Sequence, residues 1–270
     1  AGAVCLAIDD VMAGRARNAF CAVRPPGHHA ELHQAMGFCL FNNVVVGAYH
    51  ARAHHNLTRV AVVDLDVHHG NGTQHLMEDD PDFFYASTHQ WPLYPGTGGA
   101  DEIGVAGNVV NVPLPPGTDG QGFRNAFSKR ILPALEEFKP ELILISAGFD
   151  AHKNDPIANL KLEAEDYGWA TREILAVAGR VCDHRVVSVL EGGYDLAALM
   201  VCTTFQAFSL CLTGSVPIRL TVSSPRWLVA QTGPNLGWTK LAPRPGCGIL
   251  PTSTSAASLS SLVSTTPILF

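Results

Sequence analysis

Six short runs rich in β-branched and other apolar residues punctuate the first 217 positions: 19–23, 60–65, 83–87, 109–112, 142–146 and 186–190. Between or beside them lie longer stretches with helical patterning, at 3–13, 38–54, 121–138, 163–181 and 196–212. Strands alternating with helices of this length predict parallel βαβ units. The strand runs are apolar almost throughout rather than alternating, which predicts a sheet covered by helices on both faces. No internal repeat interrupts the pattern.

The polar residues fall in a second pattern. Arg24-Pro25-Pro26-Gly27-His28-His29 follows the first run, and Asp64, Asp66 and His68 close the second. Ser87-Thr88-His89 ends the third, Ala147-Gly148-Phe149-Asp150 follows the fifth, and Glu191-Gly192-Gly193-Tyr194 follows the sixth. Five polar motifs at the C-terminal ends of parallel strands lie where open α/β sheets place their active sites. An enzyme is the leading reading.

Composition narrows it. Of 270 residues, 47% are hydrophobic and 16% charged, enough apolar material for a sizeable core. The net charge of −6 argues against a dedicated nucleic-acid or anionic-membrane binder. No apolar run reaches the length of a spanning helix. The seven cysteines are odd in number, scattered and free of CxxC, which fits a reduced intracellular protein. Residues 218–270 carry four basic and no acidic residues, six prolines and fifteen Ser or Thr. They are expected to form a low-complexity, disordered tail behind a catalytic domain at 1–217.

Ten of the 12 histidines lie between His28 and His89, a density that suggests metal ligation or proton transfer. Along an extended strand, residues two apart share a face, so Asp64, Asp66 and His68 project together as the second run ends. Carboxylates this close need a cation between them, and carboxylate plus imidazole is a zinc-type ligand set. Asp150, reached through small residues, is the candidate third ligand. A set of three leaves coordination positions open, as catalytic zinc requires. His28 and His29, behind a rigid Pro-Pro-Gly lead, are candidates for a general acid/base pair. Tyr194, after two glycines, is placed to stabilise a developing oxyanion. His69 is assigned to structural hydrogen bonding. His50, His54, His55, His75 and His184 have ordinary helix or surface explanations.

Together these motifs, with Gly37-Phe38-Cys39, Tyr94-Pro95-Gly96-Thr97-Gly98 and Asp155-Pro156, resemble the zinc-dependent histone deacetylase family over roughly residues 1–213. The wording from Asp64 to Gly72 and at 147–150 is similar to the class II and bacterial branch. The resemblance implies an open parallel-sheet α/β fold of the arginase/deacetylase type. It implies zinc on Asp66, His68 and Asp150, proton transfers through His28 and chiefly His29, and Asp64 orienting His28. Asn71 would stand behind the other histidine as a neutral relay, and Tyr194 would polarise the acetyl carbonyl. Phe38 and Tyr94 would flank the acetyl-lysine stem, with the Gly37 carbonyl receiving its amide. A monovalent-cation site, usually potassium, would use Asp64, Asp66, His68, Ser87 and Thr88.

The implied activity is removal of acetyl groups from acetyl-lysine in proteins, with no direct contact to nucleic acid or membrane and with a complex or oligomer possible. Ile157 falls where the polyamine-selective branch carries an acidic gatekeeper, which tilts the substrate towards acetyl-lysine. The rival readings are an acetylpolyamine-type deacetylase and an inactive fragment that serves as an interaction module. The resemblance starts with the helix before the His-His loop, so the first strand or strands of the fold are expected to be missing, leaving a bare sheet edge.

Overall fold

The computed structural model describes residues 1–211 and the strand segments 218–222, 227–231 and 237–240. The chain opens with α1 (Gly2–Met12), β1 (Asn18–Ala22), α2 (Asn43–His55), β2 (Val60–Asp64), α3 (Asn71–Met77), β3 (Phe83–Gln90) and β4 (Val109–Leu114). It continues with α4 (Gly120–Ala126), a π-helical turn at Phe127–Ile131, α5 (Leu132–Phe138), β5 (Leu142–Ala147), α6 (Ala164–Val181), β6 (Val186–Leu190) and α7 (Leu196–Cys211). Three further strands follow: β7 (Ile218–Val222), β8 (Trp227–Gln231) and β9 (Gly237–Lys240).

The strands form one sheet in the order β4-β3-β2-β5-β6-β1-β7-β8-β9. The seven strands from β4 to β7 run parallel, and β8 and β9 are antiparallel. Alternate residues of each strand feed opposite cores. Ala61 and Val63 of β2 join Phe127, Leu135, Tyr167 and Ile174 from the π-helical turn, α5 and α6. Val60 and Val62 join Val4 and Ile8 of α1 and Val44 and Ala48 of α2. Every residue of β2, β3, β5 and β6 is buried, as strands covered on both faces must be.

Local chemistry sets the helix starts. Asn42 caps α2 by accepting the Val45 N–H at 3.1 Å. The 38–54 helical stretch therefore begins only at Asn43, and 38–42 is a loop. At α6, Glu163 and Asp166 form a reciprocal capping box. β3 extends beyond the 83–87 run to Gln90, so His89 lies inside the strand, and the short α3 was not visible in the pattern.

The expectation for residues 218–270 is corrected in part. β7 pairs parallel with β1, and β8 and β9 extend the sheet. The physical reason is the edge that β1 would otherwise leave open: unpaired strand N–H and C=O groups recruit the next available extended segment. The edge expected to be bare is thus occupied. Residues 241–270, also assigned to the tail, lie outside the described residues.

The order of strands reverses between β2 and β5: β3 and β4 lie to one side, β6 and β1 to the other. Such a switch point opens a crevice at the strands' C-terminal ends. The motif-bearing loops after β2 and β5 meet there.

Candidate active site

β2 ends at Asp64, and the chain carries Asp66 and His68 across the mouth of the crevice. β5 ends at Ala147 and delivers Asp150. His68 Nδ1 lies 3.1 Å from Asp66 Oδ1 and 3.2 Å from Asp150 Oδ2. Ligand atoms of the three residues all fall within 4.8 Å of one another. Backbone N–H groups fix both carboxylates: Gly192 donates to Asp66 Oδ2 at 2.8 Å, and Val67 donates to Asp150 Oδ1 at 2.9 Å. Gly192 comes this close because it lacks a Cβ, which would stand 2.6 Å from Asp66 Oδ2.

The cluster has the chemistry of a cation site. Asp66 and Asp150 are almost wholly buried, and Asp150 Oδ2 faces the His68 imidazole. Burial, then the nearby Asp66, raise the Asp150 carboxyl to about 7. Burial opposes a charge on His68, but Asp150 and Asp66 outweigh it and raise the imidazole to about 10. The protein thus calls for positive charge between the two carboxylates. One imidazole nitrogen and two carboxylates are a donor set that fits a zinc-type divalent metal.

His28 and His29 stand beside this cluster, their ring centroids 4.1 Å apart. His28 Nδ1 is 3.0 Å from Asp64 Oδ2, and its Nε2 is 3.7 Å from Asp66 Oδ1. Burial disfavours its charge, yet Asp66 and Asp64 together hold its pKa well above the ordinary histidine value. His29 differs. Its Nδ1 faces the neutral Asn71 Oδ1 at 2.8 Å, and burial followed by the charge of His28 lowers its pKa to about 3. The surroundings thus favour the proton on His28 and disfavour it on His29.

Glu191, whose motif carries no predicted role for it, organises this loop. Its fully buried carboxylate accepts Gly27 N–H at 2.6 Å, His28 N–H at 3.1 Å and Ser146 Oγ–H at 3.3 Å. Arg24 and Asp155 hold the Tyr194 turn. Arg24 Nη2 donates to Gly193 O at 2.8 Å, and Asp155 Oδ2 accepts Tyr194 N–H at 2.7 Å and Asp195 N–H at 3.1 Å. Burial, then Asp66 and Asp150, raise the Tyr194 phenol, so it keeps its proton for donation. A buried acid directly after a strand was the available signal for Glu191; Glu31, which accepts Asn71 Nδ2–H at 2.6 Å, gave none.

The rim is apolar and exposed. Phe38, Tyr94 and Ile157 expose 75%, 47% and 38% of their surface. Phe38 lies over Tyr194 with centroids 6.0 Å apart, and Tyr94 meets His29 edge-on at 5.1 Å. Gly37 takes a left-handed φ of 53° and packs against the His29 ring, where no side chain would fit. The Tyr94 loop is pinned from beneath. Glu102 accepts Gly98 N–H at 3.0 Å, Gly99 N–H at 2.9 Å and Gln74 Nε2–H at 2.8 Å. His69 bridges Thr97 and Gln74, each at 2.8 Å, which is the structural bonding expected of it.

Ser87 pairs with Asp64 across β2 and β3, and its Oγ lies 3.0 Å from His89 Nδ1. Both Ser87 and Thr88 are buried next to the Asp64 segment. The six described cysteines are free thiols. No helix among the described residues is long and apolar enough to cross a membrane.

Comparison with known proteins identifies a family. Residues 1–208 match the model of the histone deacetylase domain. The chloroplastic histone deacetylase 14 of Arabidopsis thaliana is 44% identical over 218 residues, covering 77% of this chain and 51% of that protein. The histone deacetylase-like amidohydrolase of Pseudomonas aeruginosa is 43% identical over 206 residues, covering 75% of this chain and 54% of that protein. The crystal structure of the HDA15 HD domain superposes with a TM-score of 0.72 at 39% identity, covering 77% of this chain and 59% of the other. The chain spans about half the length of the curated relatives it matches. The fold is therefore that of the arginase/deacetylase type.

Proposed function

This chain belongs to the histone deacetylase family, and we propose that it is a metal-dependent deacetylase acting on acetyl-lysine in proteins. The observation that carries the reading is the convergence of Asp66, His68 and Asp150 beside a histidine pair whose rings rest on different partners, His28 on the Asp64 carboxylate and His29 on the Asn71 amide.

Asp66, His68 and Asp150 would hold the metal, zinc by the character of the donors. When bound, it supplies Lewis acidity that activates water and polarises an acyl oxygen. The protein's own groups do the rest. His29, neutral at pH 7, takes a proton from the attacking water and returns it to the departing amine. His28, held charged by Asp64 and Asp66, favours negative charge developing nearby. Tyr194 donates its phenolic proton in a hydrogen bond to the carbonyl oxygen as charge builds there. Phe38 and Tyr94 are assigned to the walls around the aliphatic stem, and the Gly37 carbonyl to its amide N–H. A monovalent cation, potassium by family precedent, is assigned to Asp64, Asp66, His68, Ser87 and Thr88.

Ile157 favours acetyl-lysine over an acetylated polyamine. An apolar rim residue offers no attraction to a distal ammonium. The discriminating experiment compares turnover of an acetyl-lysine peptide with that of acetylspermidine. A preference for the peptide is expected, and Ile157→Glu should shift the ratio towards the polyamine. A wild-type preference for acetylspermidine would reverse the substrate assignment.

A further inference from the structure

We propose that Asp9, His50 and His55 form a second divalent-metal site, separate from the catalytic cluster, that clamps α1 to α2. Asp9 lies on α1, while His50 and His55 lie in the last part of α2. Both imidazole Nε2 atoms approach the same carboxylate oxygen, Asp9 Oδ1, at 2.7 Å. Ligand atoms of the three residues lie within 4.8 Å of one another. Two helices thus present three ligand atoms to one point.

The donor set defines the class of ion. Two imidazoles and a carboxylate suit zinc and neighbouring transition cations, whereas magnesium and calcium prefer all-oxygen shells. Metal–ligand bonds of about 2.0–2.1 Å place tetrahedral ligands roughly 3.4 Å apart, so each imidazole–Asp9 contact would open by roughly 0.7 Å to admit a cation. The side chains are accessible enough for water to complete that shell: Asp9 is 36% exposed, His50 19% and His55 22%. The His54 ring lies 4.5 Å from that of His50 and restricts its rotation. Of the neighbouring cations, Arg52 pairs with Asp80, and Arg15 pairs with Asp10 and donates to the backbone carbonyl of Asp9 rather than to its carboxylate.

A simple hydrogen-bonded cluster predicts different behaviour, because glutamine can replace the imidazole N–H donors but is a poor metal ligand. The test uses the full 270-residue chain, stripped with chelator and equilibrated with zinc chloride. Bound zinc is counted in the chain and in His50→Gln/His55→Gln. The proposal predicts that the double variant binds about one equivalent less and gains less melting temperature from zinc. That difference stands whatever the catalytic cluster holds, so it does not depend on the proposed deacetylase activity. Turnover of an acetyl-lysine peptide by the zinc-loaded proteins reports the other reading separately. Asp9→Asn provides a second variant that preserves shape and an acceptor oxygen, and it should weaken the same equivalent at least about tenfold. Circular dichroism checks that each variant is folded. Equal zinc content and equal thermal response in the chain and both folded variants would overturn the site.

Discussion

His29 Nδ1 lies 2.8 Å from the side-chain oxygen of Asn71, a neutral partner, while its neighbour His28 rests against the Asp64 carboxylate. This asymmetry favours the proton on His28 over His29. Replacing Asn71 with alanine leaves His29 unpartnered in its pocket. Asn71→Ala should lower kcat about tenfold or more at unchanged metal content. Asn71→Asp places a carboxylate beside His29, which favours the imidazolium and raises its pKa. A base with a raised pKa stays protonated to higher pH, so the acidic limb of the kcat/KM profile should move upward. A profile unchanged in both variants would remove Asn71 and His29 from the proton path.

Gly192 approaches both metal-facing carboxylates, and an added Cβ would stand 2.6 Å from Asp66 Oδ2. Gly192→Ala must push Asp66 or Asp150 aside. Metal affinity at the catalytic cluster should weaken at least about tenfold while the far-ultraviolet spectrum is retained. Affinity equal to that of the wild type would show that the turn can move without disturbing the carboxylates.

Glu102 fastens the Tyr94 loop through Gly98 and Gly99 but touches neither histidine of the His28–His29 pair. Glu102→Ala should therefore raise KM for an acetyl-lysine peptide more than it lowers kcat. A fall in kcat with KM unchanged would instead connect Glu102 to the chemistry.

Glu191 is fully buried and accepts hydrogen bonds from the backbone of Gly27 and His28. Glu191→Gln keeps the shape but replaces one acceptor oxygen with a donor. A buried group left without its partner costs about 1–3 kcal/mol. Urea denaturation should record a loss of that size, and an unchanged midpoint would show that the His-His loop is held by other contacts.

How far the sequence revealed this molecule follows from which signals are local. The β2 run 60–64 and the β5 run 142–147 are continuous and apolar, so buried parallel strands were legible. Asp64, Asp66 and His68 share a face by strand periodicity alone. The path by which Asp150 meets them was not periodic; it depended on the order of strands, which places β5 beside β2. The β7 segment 218–222, Ile-Arg-Leu-Thr-Val, is too short a run to stand out in a stretch rich in Ser, Thr and Pro, and the edge of β1 gives it a place. The Asp9–His50–His55 cluster was invisible for the same reason: its members are separated by 41 and 46 positions and meet only because α1 lies against α2.

The most direct measurement is turnover of an acetyl-lysine peptide by the metal-depleted chain as zinc is restored. The account predicts little turnover without metal, recovery on titration, and no recovery in Asp150→Ala at any zinc concentration. Binding elsewhere on the surface does not alter that pattern, because among the described residues only the cluster of Asp66, His68 and Asp150 lies beside His29 and Tyr194. Turnover that survives metal removal, or that Asp150→Ala recovers as the wild type does, would contradict it.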